Sequence, residues 1–292
     1  MLNLDHAVIV VADIDRATRD FRLLGFKVSP GGRHSAKRSA NAVILFYDGS
    51  YIELLAFTPR VFGYGLRVLG TLGLVDTVFP QRSVVEKRFL RHGAAGEGLV
   101  DLALLSKNLR ETMAVLETRD SRFHGPLVGG RTLPDGRELS WEFAVPDTDD
   151  LPFILSDLTD RSIRAPGGEC CHHPNGVGGI SAVNIAVKDL SMSRDRYSAL
   201  AGVGLDPELS NTASATAQPG GNDEECYRSL DFRLGAVRLT LTESEDASTP
   251  IGRHLSAHGE GPFELELRTV NRNYVGELKR SLTHGARIRL TA

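Results

Sequence analysis

The chain has 292 residues, 41% hydrophobic and 24% charged, with a formal net charge of -3. That balance supplies a sizeable core, excludes global disorder, and offers no basic surface for nucleic acid or an anionic membrane. Three cysteines, two of them adjacent at Cys170 and Cys171, make no disulfide framework, and the opening residues read as neither signal peptide nor membrane span, so a cytoplasmic protein is expected.

In chain order, a pattern of strand, short amphipathic helix and further strands recurs. The first copy spans about 2–57. HAVIVVAD is its first strand; Ile14, Ala17, Phe21 and Leu24 recur at helical spacing, and Gly25 suits a left-handed cap. GFKVSP is read as a second strand and GGRHSAKRSA as a polar loop. NAVILFY and SYIELLAF then form a hairpin around Asp48 and Gly49.

Residues 58–98 are Gly-rich, with a helix expected from Ser83 to Gly93, and are read as a linker or lid. A second copy, about 98–158, runs from LVDLALLSKN through the helix LRETMAVLETR to PLVGGRTL, RELSWEFAV and LPFILSDL. The Pro-, Gly-, Cys- and His-rich stretch 159–179 marks a boundary, and its CCHHPNG segment is better read as a turn than as a zinc site.

A third copy, about 178–245, has the helix SMSRDRYSALAG, a polar loop from Glu208 to Glu225 and a tight turn at Gly235. A fourth, 262–292, is incomplete: FELELRTV, a helix over VNRNYVGELKRSLTHG, and ARIRLTA. The expected organisation is therefore a first domain over 1–165 and a second region over 176–292, in an α+β fold of repeated β-α-β-β-β modules that pair into curved mixed sheets around a cavity. The incomplete last copy leaves an edge for a partner chain, as in a homodimer.

Alternation puts His6, Val8 and Val10 on one face of the first strand and Tyr51, Glu53 and Leu55 on one face of the fourth. A carboxylate within YIELLAF has a large desolvation cost unless a cation or a hydrogen-bonding group meets it. Glu53 is therefore the leading functional residue. Arg33 and Arg131 have planar forks suited to a carboxylate, and Trp141, the only tryptophan, is either a pocket wall or core.

LDHAVIVVADIDRATRDFRLLGF and YIELLAF resemble the first strand, helix and fourth strand of vicinal-oxygen-chelate proteins. PGGRHSAKRSANAVILFYDGSYIELLAF, RTLPDGRELSWEF and HPNG are similar to the glyoxalase-like domain family, over residues 2–176. The resemblance implies that His6 and Glu53 chelate a divalent ion (Zn, Mn, Fe, Co or Ni), and that His34 and Asn41 contact substrate.

Asp101 stands seven residues before Asn108, as His6 stands before Asp13; the third copy has Ala182 there. If copies one and two share a cavity, His6, Glu53 and Asp101 supply three metal ligands; if one pairs with three, only two remain. The leading expectation is a metal-dependent lyase or isomerase acting on a small oxygenated molecule, with Glu53 catalytic and His34, Asn41, Arg131 and Trp141 binding substrate. The alternatives are a metal-free protein that sequesters a small ligand, and a metal-free enzyme using Glu53 as general base.

Overall fold

The computed structural model describes residues 2–34, 39–200, 205–207 and 227–292, with backbone alone for 33, 34 and 205–207. The polar loop 208–225 lies outside the described residues. In the first module, β1 (Asn3–Val10) leads into α1 (Ile14–Leu23), followed by β2 (Ser29–His34), β3 (Ser39–Leu45) and β4 (Tyr51–Phe57). The second consists of β5 (Gly98–Leu105), α5 (Leu109–Glu117), β6 (Phe123–Thr132), β7 (Glu138–Pro146) and β8 (Phe153–Asp157). Between them lie α2 (Arg60–Thr71), α3 (Val75–Val78) and α4 (Val84–Ala95), and after β8 a single turn, α6 (Arg161–Arg164).

Local chemistry sets the helix starts. Asp13, Asn108 and Asp189 each cap a helix by accepting from its first backbone amides, and Ser83 with Glu86 forms a capping box at α4. Ala17 and Phe21 are fully buried on the core side of α1, and Gly25 adopts a φ of 84° just beyond it.

The first eight strands close a barrel in the order β1-β4-β3-β2-β6-β7-β8-β5, with β5 returning to β1. Copies one and two therefore share one cavity. β1 and β5 run antiparallel with Ala7 opposite Leu102, so a local two-fold exchanges His6 with Asp101. Glu53 lies beside Val8 and Phe153 beside Ala103, making these two equivalent. By the same register Asn41 corresponds to Phe143, and Ser39 to Trp141. The β2–β6 pairing relates Arg33 to Arg131, so the two Gly-Gly-Arg runs are symmetry mates.

The remaining chain forms β9 (Val177–Ala186), α7 (Leu190–Ala199), β10 (Leu205–Pro207), β11 (Arg228–Leu234), β12 (Val237–Glu243), α8 (Pro250–His258), β13 (Gly261–Thr269), β14 (Gly276–Glu277) and β15 (Arg287–Thr291). These strands make an open sheet, β10-β11-β12-β9-β13-β15-β14. One apolar core runs through both sheets, joining Phe21, Ile44 and Leu104 to Val183, Phe232 and Leu265.

Four expectations change. The second strand begins at Ser29 rather than Gly25, and residues read as polar loop continue it to His34. The Gly-rich stretch contains helix α2, whose Gly70 lets Ala94 of α4 approach so closely that a Cβ there would sit 2.5 Å from the Ala94 carbonyl oxygen. The fourth copy has no α-helix over 270–285, only one 3-10 turn at Arg272–Tyr274 and the two-residue β14, with Val270 and Val275 exposed. Helix α8 was unforeseen, although Thr249 at its cap and Pro250 in its first turn signal it.

Candidate functional site

The barrel encloses a cavity of about 640 Å³. α2, α3 and α4 cap it: Leu66 and Leu90, with Phe62, Phe79 and Phe89, pack against the inward Val8, Val10, Leu55 and Phe57. A helical insertion thus supplies apolar roof to a sheet interior that would otherwise face water.

The polar end of the cavity starts at β1. Asp5 is completely buried, and its carboxylate meets Nδ1 of His6 at 2.7 Å. Register with β5 shifts between Leu4 and His6, an irregularity of the kind that re-aims side chains. Arg164 donates to both Asp5 oxygens at 2.7 and 3.1 Å and to the Tyr51 hydroxyl at 2.6 Å, and Arg161 adds a further bond to Asp5. Burial opposes the Asp5 charge, but these partners outweigh it and hold its carboxyl far below the usual range.

With Asp5 ionised, His6 Nδ1 is the donor and Nε2 is directed elsewhere. Nε2 lies 3.4 Å from Glu53 Oε2. Burial disfavours the imidazolium, yet the carboxylates of Asp5 and Glu53 on either side overcome it and raise the His6 pKa above its ordinary value. Tyr51 stacks on His6 with ring centroids 4.5 Å apart, and Phe153 meets the imidazole edge-on at 5.6 Å. Asn41 Nδ2 donates to Glu53 Oε1. The result is a chain Asp5–His6–Glu53 that ends on a carboxylate lining the cavity.

The opposite half contributes the rings of Phe143, Phe153 and Trp141 to the same space, together with Arg131 and Asp101. The Trp141 indole lies across Gly129, where a Cβ would come within 2.5 Å of its Nε1.

The profile of the glyoxalase-like domain family matches residues 4–201. The chain belongs to that family. Its barrel of paired modules is the fold of the vicinal-oxygen-chelate superfamily. A hypothetical protein from Staphylococcus aureus superposes with a TM-score of 0.71 at 14% identity, over 100% of this chain and 99% of that one. A mutant of 4-hydroxymandelate synthase from Streptomyces coelicolor does so with a TM-score of 0.53 at 14% identity, over 96% of this chain and 77% of that one. At such identities the likeness speaks for the fold alone. No curated protein matches the sequence significantly.

In this glyoxalase-like protein the residues expected from the sequence are only partly brought together. His6, Glu53, Arg131 and Trp141 line the cavity. Asn41 is not among the lining residues; its Nδ2 donates to Glu53 and so positions that carboxylate. The His34 side chain lies outside the described residues, and its backbone in β2 is opposite Arg131.

Asp101 lines the cavity but is spoken for. Arg88 of α4 grips both its oxygens at 2.6 and 2.8 Å, His92 stands 3.0 Å away, and the Leu102 amide donates to it. Arg88 also reaches the carbonyls of Thr148 and Leu151. Burial works against the Asp101 charge, and the Arg88 guanidinium overcomes it to keep the carboxyl well below its normal range. Asp101 is thus an anchor for the cap.

The three-ligand metal set is therefore corrected. His6 has the carboxylate-oriented geometry that ligating histidines use, and Glu53 is beside it. The two-fold-related positions, however, hold a guanidinium-bound Asp101 and the ring of Phe153. Among the described residues no three His, Cys, Asp or Glu side chains are grouped to hold a metal ion. Among the described residues, two protein donors fall short of the three that catalytic zinc sites use, so this donor set does not fit zinc.

Asp5 and Arg164 were missed. Asp5 carried the same signal as Glu53, an acid inside an apolar strand, whereas nothing local marked Arg164.

His173 and Asn175 of the CCHHPNG segment are structural. His173 accepts from the Lys27 amide at 2.9 Å and its other ring nitrogen lies 2.9 Å from the Leu45 carbonyl, while Asn175 donates to the Leu24 carbonyl.

Proposed function

We propose that the barrel cavity binds a small oxygenated organic molecule and moves a proton on it through Glu53 and His6, in a lyase- or isomerase-type reaction that needs no metal ion. The supporting observation is the Asp5–His6–Glu53 chain, anchored by Arg164 in the cavity wall and open to the cavity at Glu53. In this reading the Glu53 carboxylate takes a proton from carbon beside a substrate carbonyl. The C–H electron pair moves into an enolate, whose oxygen accepts a hydrogen bond from the His6 imidazolium. Glu53, now protonated, returns the proton to the same or a neighbouring carbon. Asp5 orients the His6 ring and keeps it charged, Asn41 orients Glu53, and Phe153 and the cap exclude water. Such a base contributes about 10²–10⁴-fold to turnover.

A second reading, ligand capture without turnover, is favoured by the aromatic half of the cavity, which binds without reacting. The test is deuterium exchange in D₂O by chelator-treated protein against a panel of small hydroxyketones and oxo acids, followed by NMR. Exchange by the wild type that falls by about 10²–10⁴-fold in Glu53→Gln supports proton transfer. Binding without exchange would favour capture. Exchange that appears only after Zn, Mn, Fe, Co or Ni is added would restore the metal-dependent reading.

A further inference from the structure

Of the three buried arginines among the described residues, Arg88 and Arg164 each grip a carboxylate, Asp101 and Asp5 respectively. Arg131, the third, lines the cavity with only 5% of its surface exposed. Its Nε has no hydrogen-bond partner, and no carboxylate among the described residues forms an ion pair with it. A guanidinium does not shed its proton, so burying it unpaired is costly, and folded proteins tolerate that chiefly where a ligand completes the pair. The same cavity is lined by Trp141, Phe143 and Phe153 on the barrel side, with Phe62, Phe79 and Phe89 from the cap. Among the described residues, the cavity thus offers in Arg131 a guanidinium with no carboxylate partner, together with aromatic walls, in a volume suited to a small organic molecule.

We propose that the occupant is a small monocarboxylate with an aromatic or branched apolar body, its carboxylate seated on Arg131 and its body against Trp141 and the roof phenylalanines. The charge of Arg131 calls for one negative charge, and its planar fork matches a carboxylate in two parallel hydrogen bonds. This deepens the reading above and rests on it only in treating this cavity as the working site.

Trp141 supplies the probe, because it is the only tryptophan. The full-length protein is titrated, by its tryptophan fluorescence and by calorimetry, with phenylacetate, 3-phenylpropionate and 4-methylpentanoate, each matched with its primary amide. The expected result is that carboxylates bind about 10–100-fold more tightly than their amides. Arg131→Met is expected to abolish that preference and Arg131→Lys to keep part of it. The ligand-free Arg131→Met protein should melt at a higher temperature than the wild type, because it loses an uncompensated buried charge. An anchor holding the fold together would give the opposite shift. Equal affinity for acids and amides, no binding of either, an unchanged preference in Arg131→Met, or a lower melting temperature for that variant would each overturn the proposal.

The two readings fail separately. Carboxylate preference without deuterium exchange on any substrate leaves the Arg131 seat standing and removes the proton-transfer role. Exchange on neutral ketones without carboxylate preference does the reverse.

Discussion

Where the first half of the barrel presents His6, Glu53, Asn41 and Ser39, the second presents Asp101, Phe153, Phe143 and Trp141 at the positions exchanged by the local two-fold. The backbone is the same and the chemistry is divided: at these positions one half carries groups that move or bind protons, while the other carries aromatic surface beside Arg131. The one acid retained in the second half has been turned from the cavity's chemistry to its architecture. In the open sheet the same positions hold Ala182, Thr240, Glu264 and Arg289, with Arg289 3.8 Å from Glu264, so neither His nor the Glu53-type carboxylate recurs beside an enclosed space. Among the described residues, the His and Glu of these positions meet an enclosed cavity in the barrel.

The division breaks most severely at Asp101. Asp101→Asn removes one partner of a buried ion pair and leaves Arg88 uncompensated beneath the cap, and such losses cost about 3–5 kcal/mol. The urea midpoint should fall accordingly, and the cap should lose protection from hydrogen exchange first. A change below about 1 kcal/mol, the scale of an exposed pair, would mean that Asp101 does not anchor the cap.

The pH dependence separates the halves more finely. Asp5 and Asp101 have depressed native values, so their stabilisation is present above the unfolded carboxylate value of 3.8 and is lost as pH falls through the native values. His6 has a raised native value. Its stabilisation is complete below the unfolded value of 6.5 and is lost as pH rises through the native one. Comparing wild type with His6→Gln by chemical unfolding between about pH 5 and pH 9 should show a stability gap that closes toward the alkaline end. A gap that widens there would mean that His6 is held neutral, contrary to a flanking pair of carboxylates.

Much of this was legible in the sequence, and the reasons differ by residue. The caps Asp13, Asn108 and Asp189 are local, so the seven-residue count back from each located equivalent strand positions correctly. Glu53 was legible because an acid in an apolar strand has few explanations, and parallel pairing of β1 with β4 places it near His6. Asp101 satisfied the same count but misled as a ligand. Its partner Arg88 arrives on a helix whose docking depends on close contact through Gly70 and Gly93, and those glycines made the segment read as a linker. Arg164 was invisible because it reaches Asp5 from 159 positions away in sequence. The fourth module misled because apolar residues of its helical spacing, Val270 and Val275, stay exposed instead of packing.

The smallest expected effects come from a symmetric pair of glycines. Gly31 and Gly129 precede Arg33 and Arg131 by the same two positions, and each leaves room for a side chain of its own half. A Cβ on Gly31 would lie 2.1 Å from Asn41 Oδ1, and one on Gly129 would lie 2.5 Å from Trp141 Nε1. Alanine at either site should cost about 1–3 kcal/mol of stability through overpacking. The functional consequences should diverge. Gly31→Ala pushes Asn41 away from Glu53 and should lower proton exchange with little change in ligand affinity. Gly129→Ala displaces the indole, and should shift tryptophan emission and weaken binding while leaving exchange at saturating ligand near the wild-type rate. If both variants lost exchange and affinity together, the two halves would be acting as one surface, and the separation of reactive wall from binding wall would have to be given up.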